Sequence, residues 1–238
     1  DVERERFAKH PWSLGGGGAS ELKQLLETSS DAALGAIAEP PIGRAVRMAQ
    51  EELFLYQPDC VHRLHTAASE FRGLILGEVV RDWRAEPETL AWYPYFEGRE
   101  RSEMLRWLWR WRTLLGARST FGGTVLSDGM PWYEYQQHTA SAYRIPLSIT
   151  FAFVATHNHF VLDRGGRVFN RSAPVIKLPP NATEDDHLAL LGVLNSSTGA
   201  FWLRQVCHNK GNRGEGGGIT SELWEKFLEI TGAAVEEF

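Results

Sequence analysis

The strongest constraint on the fold is the stretch between Pro146 and Pro179, in which apolar residues alternate with polar ones and short polar turns interrupt the pattern. Four apolar segments can be separated: 147–155, 159–163, 167–169 and 173–178. A period of two places apolar side chains on one face of a strand. The turns between the segments contain Asn and paired Gly, which suit tight reversals. The stretch therefore predicts an antiparallel β-meander.

Helices are predicted on both sides of this meander. Ser102 can cap a long helix that runs to Leu115, and residues 132–141 are also predicted to be helical. Thr183 begins a capping-box-like start for a helix from Glu184 to Leu194, and a second helix is expected after Asn195-Ser196. The predicted fold class is α+β (mixed α/β), an antiparallel β-meander with flanking helices.

The length of 238 residues allows one large domain or two smaller ones. We expect an N-terminal α/β part over 1–120 and a second part, the meander with its helices, over 121–238, or one continuous domain. The chain has no initiator Met, and we expect it to be a piece of a longer protein.

The composition is that of a globular protein, with 43% hydrophobic and 23% charged residues. No apolar run is long enough to predict a membrane helix, and the charged start does not resemble a signal peptide. Two cysteines are too few for a disulfide framework and suit a reducing compartment. These features predict a cytoplasmic protein without a membrane partner.

The net charge of −5 argues at first against a nucleic-acid partner, but the charges are segregated along the chain. Three segments carry arginine or lysine and no acidic residue: 104–118, 164–177 and 204–213. Such segregation permits a basic face on an acidic body. Ordinary scatter of charge is the alternative interpretation.

The candidate DNA-contacting residues are cationic or amide side chains in these segments and in a polar cluster before the meander, because such groups hold phosphates and read base edges. They are Arg164, Arg167, Asn170, Arg171, Arg106, Arg110, Arg112, Gln136, Gln137, Lys210 and Arg213. Each set has a structural alternative. Arg106, Arg110 and Arg112 can be solvated or paired with Glu100 and Glu103. The 164–171 segment can be a plain solvent-facing turn. The helix face that carries Trp107 and Trp111 can be part of the hydrophobic core.

Methyl-transfer chemistry is missing from these residues. Gly15 to Gly18 lacks the spacing of a nucleotide-binding loop, and Pro40-Pro41 is not an Asn/Asp-Pro-Pro-Tyr/Phe motif because Ile42 follows it. We therefore predict no catalytic residue. His157 and His159 have the i, i+2 spacing of strand metal ligands, but the sequence identifies no further ligand, so a polar turn without metal is the favoured prediction.

Several segments together resemble the C-terminal half of class I DNA adenine methyltransferases of the BREX phage-defence type, the PglX-like family, and of fused type IIG restriction–modification methylases. These segments are "HPWSLGGGGASELKQLLE" (10–27), "GEVVRDW" (77–83), "YPY" (93–95), "WYEY" (132–135), the meander (146–179) and "DDHLALLGVLNSSTGAFWLRQVCHNKG" (185–211). They cover most of the chain, and the block 146–211 is the most specific.

The resemblance implies a target-recognition domain of a parent enzyme that methylates adenine N6 within a short DNA site. S-adenosylmethionine would be bound by the parent's N-terminal catalytic domain, and this segment would need no cofactor. The implied partners are double-stranded DNA, that catalytic domain in cis and other defence-system proteins. The alternative is a protein-interaction module that docks onto other components of the defence complex.

Overall fold

The computed structural model describes residues 17–210 and 227–238, in which helices and mainly antiparallel sheets are mixed as predicted. The helices are α1 Ala19–Ser29, α2 Leu34–Ile37, α3 Pro58–Val61, α4 Glu103–Leu108, α5 Arg112–Gly116, α6 Glu184–Leu194, α7 Ser197–Val206 and α8 Gly232–Glu236. The first eight strands are β1 Glu39–Gly43, β2 Val46–Arg47, β3 Leu55–Tyr56, β4 Phe71–Ile75, β5 Val80–Arg81, β6 Arg84–Ala85, β7 Thr89–Trp92 and β8 Gln137–His138. The remaining strands are β9 Ser148–Phe151, β10 Val154–Ala155, β11 Phe160–Asp163, β12 Arg167–Phe169, β13 Val175–Lys177, β14 His208–Asn209 and β15 Leu228–Glu229. None of the helices among the described residues is long and apolar enough to cross a membrane.

The meander sequence builds an antiparallel sheet with the strand order β1-β13-β9-β11. Strands β9 and β11 pair as predicted, with Phe151 opposite Phe160. Their apolar side chains and that of Ile176 pack against α6 and α7 in one buried cluster, which also contains Leu191 and Trp202. The apolar residues that alternate in the sequence of β9, Ile149 and Phe151, thus lie on the face of this sheet that is covered by helices.

One strand leaves the predicted meander. β12 does not pair with β11 but runs parallel to β4 in a second sheet with the order β12-β4-β7-β3. The turn before it contains Gly165 and Gly166, both in the left-handed region with φ of 105° and 80°, which redirects the chain. Val168 is then buried with Leu74 and Trp92 in a second cluster. Both four-stranded sheets join strands from either side of residue 120, and the division into two parts stays a prediction.

The helix predictions had mixed outcomes. The helix Glu184–Leu194 has the predicted bounds, and Thr183 and Asp186 form its capping box. Ser102 accepts a hydrogen bond from the Met104 amide as expected, but the helix it caps is interrupted by a 3₁₀ turn at Trp109–Trp111. The helix predicted over 132–141 is wrong. Tyr135 is fully buried and donates to the Trp92 carbonyl, so tertiary packing fixes an irregular backbone there.

Candidate nucleic-acid interface

The 164–171 segment is mostly committed to internal contacts. The guanidinium of Arg164 donates to the Glu184 carboxylate at 3.0 Å. Arg167 pairs with the buried Asp163 at 3.3 Å and also donates to the Ala85 carbonyl. Asn170 is only 7% exposed and donates to Glu51 at 3.2 Å. Arg171 is exposed and has no ion pair among the described residues. The structure therefore gives Arg167 and Asn170 a structural role, and Arg171 alone is free to reach a partner.

Arg106, Arg110 and Arg112 of the helical segment 103–116 are exposed, but each contacts a side chain of the same segment. Arg106 pairs with Glu103 at 3.0 Å, as one of the alternative interpretations expected. The guanidinium of Arg110 lies 5.5 Å from the Trp107 ring centroid, and that of Arg112 lies 4.5 Å from the Trp109 centroid. These stacked cations remain exposed, so they can still attract an anion.

The remaining candidates differ in position. Gln136 donates to the Ser119 carbonyl, Gln137 follows it as the first residue of β8, and both residues line one groove. Lys210 pairs with Glu229 at 3.2 Å and lies over the Phe153 ring. Arg213 lies outside the described residues. Gln136 and Gln137, which are neighbours in the sequence, thus line a groove that the 164–171 segment does not line.

The structure adds three arginines that the sequence analysis did not select. Arg44, Arg47 and Arg144 are exposed and form no ion pair with any residue of 17–210 or 227–238. Arg44 and Arg47 line the same groove as Gln136 and Gln137. Arg44 also lines an adjoining depression with Arg144. We call this surface the basic groove, defined by Arg44, Arg47, Arg144, Gln136, Gln137 and the loop 119–128.

Strand pairing holds the centre of the basic groove in place. β2 and β8 are antiparallel, and Arg47 lies directly opposite Gln137. Side chains opposite each other in an antiparallel pair point to the same face, with Cβ atoms about 5 Å apart. A cation and an amide are therefore presented side by side. No sequence pattern predicts the pairing of β2 with β8, because they are two-residue strands about 90 residues apart in the chain.

A buried arginine fixes the loop that borders the groove. Arg118 is 5% exposed and donates to four carbonyl oxygens, those of Leu115, Met48, Trp132 and Glu134, at 2.6–2.9 Å. Desolvation lowers its pKa to about 10, and the guanidinium remains charged at neutral pH. These bonds join the β2 side of the groove to the segment that precedes β8. Arg118 belongs to the acid-free segment 104–118, but it acts as an internal clamp.

The loop that follows Arg118 presents an aromatic ring to solvent. Phe121 is fully exposed. The loop around it is closed by hydrogen bonds between Thr120 and Asp128 and between the Gly123 amide and the Thr120 hydroxyl at 3.0 Å. A β-bridge joins Ser119 to Thr124 at its base. An exposed ring on an internally bonded loop can insert between base steps or stack on an unpaired base.

An aromatic stack supports β8. The His138 ring lies 3.7 Å from Tyr95 and 5.0 Å from Tyr143, centroid to centroid, nearly parallel to both. Its Nε2 is 3.1 Å from the Tyr93 hydroxyl. Burial, together with the charge of Arg72, lowers the pKa of His138 to about 4. The imidazole is therefore neutral at physiological pH, and it packs beneath the groove as an uncharged ring.

The comparisons with known proteins agree with the resemblance described above. The whole chain is 40% identical, over 252 aligned positions, to a segment of the adenine-specific methyltransferase PglX of Streptomyces coelicolor. The chain spans about a fifth of the length of that protein, 20%. No protein-family profile matches the chain.

A solved structure shares the fold. The type IIL restriction–modification enzyme MmeI, determined in complex with DNA, superimposes with a TM-score of 0.55 at 12% identity. The match covers 87% of this chain and 25% of MmeI. The predicted resemblance to PglX-like methyltransferases is confirmed, and the mixed helix and strand fold is similar to that of a segment of MmeI.

Proposed function

We propose that this chain is the DNA target-recognition segment of a site-specific adenine N6-methyltransferase of a phage-defence or restriction–modification system, acting in the cytoplasm. The observation that carries the proposal is the basic groove. Arg44 and Arg47 line it together with two glutamines, Arg144 lines the adjoining depression, and none of the three exposed arginines has an ion pair among the described residues. Both relatives support it, since one is named an adenine-specific methyltransferase and the other is a restriction–modification enzyme complexed with DNA.

Each part of the groove has a chemical role in this proposal. Arg44, Arg47 and Arg144 neutralise phosphates, which supplies most of the sequence-independent affinity. Gln137 approaches base edges, where a glutamine can make paired hydrogen bonds to adenine. The amide nitrogen of Gln136 donates to the Ser119 carbonyl and its Oε1 is buried, so Gln136 shapes the wall of the groove. Phe121 contacts the bases as a wedge or stacking surface. The methyl donor, S-adenosylmethionine, would be bound by the catalytic part of the parent, which also flips the adenine out of the duplex.

Duplex binding tests the proposal directly. A fluorescein-labelled duplex is titrated with the chain at about 20–50 mM salt, where phosphate contacts are strongest. The test variant is Arg44→Ala/Arg47→Ala/Arg144→Ala. The matched control is Arg63→Ala/Arg101→Ala/Arg204→Ala, which removes three exposed arginines that lie outside the groove. Both variants change the net charge equally.

We expect the unaltered chain and the control to bind, with the groove variant at least about tenfold weaker, because it loses three counterion-releasing contacts. Equal losses in both variants would show that only total charge matters. That result, or failure of the unaltered chain to bind at about 20 mM salt, would contradict the proposal.

One surface favours a second candidate function, docking onto another protein. Trp109 and Leu114 are 56% and 45% exposed, and Trp111 is also exposed. Exposed large apolar side chains that adjoin one another mark interaction sites. Calorimetric titration of the chain with separately purified proteins of the same defence system tests this function. Binding lost in Trp109→Ser/Leu114→Ser but retained in the groove variant would favour docking.

A further inference from the structure

Three potential metal ligands come together away from the basic groove. The two imidazoles of His157 and His159 are 4.1 Å apart between ring centroids. A carboxylate oxygen of Asp82 lies 3.6 Å from Nδ1 of His159. One ligand atom from each of the three residues lies within 4.8 Å of the others. Asp82 is 77 positions from His159 in sequence, which is why sequence analysis could not supply the missing ligand.

Each side of the cluster is held by its own element. Asp82 and Trp83 form the turn between β5 and β6, and both adopt left-handed backbone conformations, with φ of 47° and 73°. Non-glycine residues in that region are uncommon and are kept only where surrounding structure determines them. The turn thus points the Asp82 carboxylate at the histidines although its side chain is 85% exposed.

The histidine side is anchored to the α6–α7 junction. Asn158 donates to the Leu194 carbonyl at 2.7 Å. Asn195 accepts from the Phe160 amide at 3.0 Å and donates to the Phe160 carbonyl at 2.8 Å. Ser196 caps α7. The segment "LLGVLNSS" (190–197), which joins α6 to α7, therefore fixes the backbone on both sides of His159.

The hydrogen bonds around the imidazoles suit metal binding. Nδ1 of His157 is 2.9 Å from the Thr156 hydroxyl, and such an outer contact can orient the ring and leave Nε2 to bind a metal. The Asp82 amide donates to Nδ1 of His159 at a long 3.4 Å, and an ion bound at that nitrogen would replace this weak contact.

We propose that Asp82, His157 and His159 bind one divalent transition-metal ion of the zinc class through two imidazole nitrogens and one carboxylate oxygen. Nitrogen ligands suit zinc and its neighbours, whereas magnesium and calcium prefer oxygen alone. The ligand atoms must approach one another so that each lies about 2.0–2.2 Å from the ion. Asp82 and His157 are exposed and can rotate to do so. Solvent completes the coordination.

The ion joins two parts of the fold. Asp82 belongs to the β5–β6 hairpin and the histidines to the segment between β10 and β11. Because the three ligands meet only in the folded chain, metal binding stabilises the native state. The nearby cation Arg81 opposes the ion, but its guanidinium donates to the Gly77 and Val80 carbonyls at 2.6 and 2.7 Å.

Zinc binding to the chelator-treated chain tests the site, by competition with a chromophoric chelator. We expect one equivalent of Zn²⁺ per chain and a higher melting temperature in its presence. Asp82→Asn and His157→Gln each remove one exposed ligand and leave the buried His159 in place. Each is expected to weaken binding at least about tenfold, since even loss of an outer-shell partner costs 10–100-fold.

His62→Gln is the matched control, because His62 is an exposed histidine outside the cluster. It should bind zinc as tightly as the unaltered chain. Absence of stoichiometric zinc binding would overturn the proposal, as would binding that all three variants retain. Substitution with Co²⁺ adds a spectroscopic readout, because its visible absorption reports a protein-bound ion with imidazole ligands. Neither readout involves DNA, so this proposal and the proposed function fail independently.

Discussion

The basic groove and the 164–171 segment carry similar side chains but use them differently. In the groove, Arg44, Arg47 and Arg144 have no ion pair among the described residues. In the 164–171 segment, Arg164 is paired and Arg167 holds a buried carboxylate. The comparison shows that arginine on a turn does not by itself indicate a binding surface. What matters is whether the fold supplies a nearby carboxylate, and that depends on tertiary contacts.

The largest expected effect comes from removing the internal arginine of the 164–171 segment. Arg167→Met leaves Asp163, 4% exposed, without its ion-pair partner, so that the Gly165 amide and the charge of Lys177 compensate it only in part. Uncompensated buried charges are costly, and we expect the free energy of unfolding to fall by about 2–3 kcal/mol at pH 7. Burial already raises the pKa of Asp163, so its protonation should reduce the loss at lower pH. Urea denaturation at pH 7 and pH 5 measures both effects.

Arg171→Met is the control for this experiment, since Arg171 is exposed and has no ion pair among the described residues. Its free energy of unfolding should change by less than about 0.5 kcal/mol. Equal destabilisation by both substitutions would contradict the structural role given to Arg167.

The sequence predicted what depends on local pattern. The α+β class, the pairing of β9 with β11, the bounds of α6 and the caps at Thr183 and Ser102 all follow from short-range signals. It could not predict that β12 joins β4, because a parallel partner about 90 residues away leaves no local trace. Of the residues that define the basic groove, the sequence analysis selected Gln136 and Gln137. It did not select Arg44, Arg47 and Arg144, because these are isolated cations in the sequence that only the fold brings together.

Phe121 offers a sharper test of the groove than charge does. Phe121→Ser should leave stability nearly unchanged, because the ring is fully exposed. If the ring stacks on bases, affinity for duplex DNA should fall by about 1–3 kcal/mol. Leu25→Ser, which changes an exposed apolar residue on α1 outside the groove, is the matched control. Indistinguishable affinities of the two variants would remove Phe121 from the interface.

Acid should lower the free energy of unfolding by protonating His138, whose ring belongs to the aromatic stack beneath the groove. The pKa of His138 is lowered to about 4, whereas an unfolded histidine titrates near its ordinary value of 6.5. A depressed histidine pKa contributes stability that is fully present above pH 6.5 and is lost as pH falls towards 4. After allowance for partial solvent screening we expect a loss of about 2 kcal/mol over this window.

His138→Phe removes the titrating group while keeping a ring in the stack. Its stability should decline less between pH 6.5 and pH 4 than that of the unaltered chain, as thermal melts at half-unit pH steps would show. Parallel pH profiles for the two proteins would contradict the assignment of this acid sensitivity to His138.

The smallest effect is expected at Arg164. Its ion pair with Glu184 is largely exposed, with side-chain exposures of 63% and 43%. Exposed pairs contribute little, so Arg164→Ala should leave the free energy of unfolding nearly unchanged. Its DNA affinity should also stay within about threefold, because the paired guanidinium lies outside the groove. Denaturation and anisotropy on the same sample check both expectations.

The most direct test of the central claim is the salt dependence of DNA binding. Each phosphate contact contributes about 0.9 to the slope of log affinity against log salt concentration. For Arg44→Ala/Arg47→Ala/Arg144→Ala we expect a slope shallower by about 2–3 than that of the unaltered chain. Arg164→Ala/Arg171→Ala should leave the slope unchanged. A slope that the second variant flattens and the first does not would place the phosphate contacts on the 164–171 segment and contradict the account.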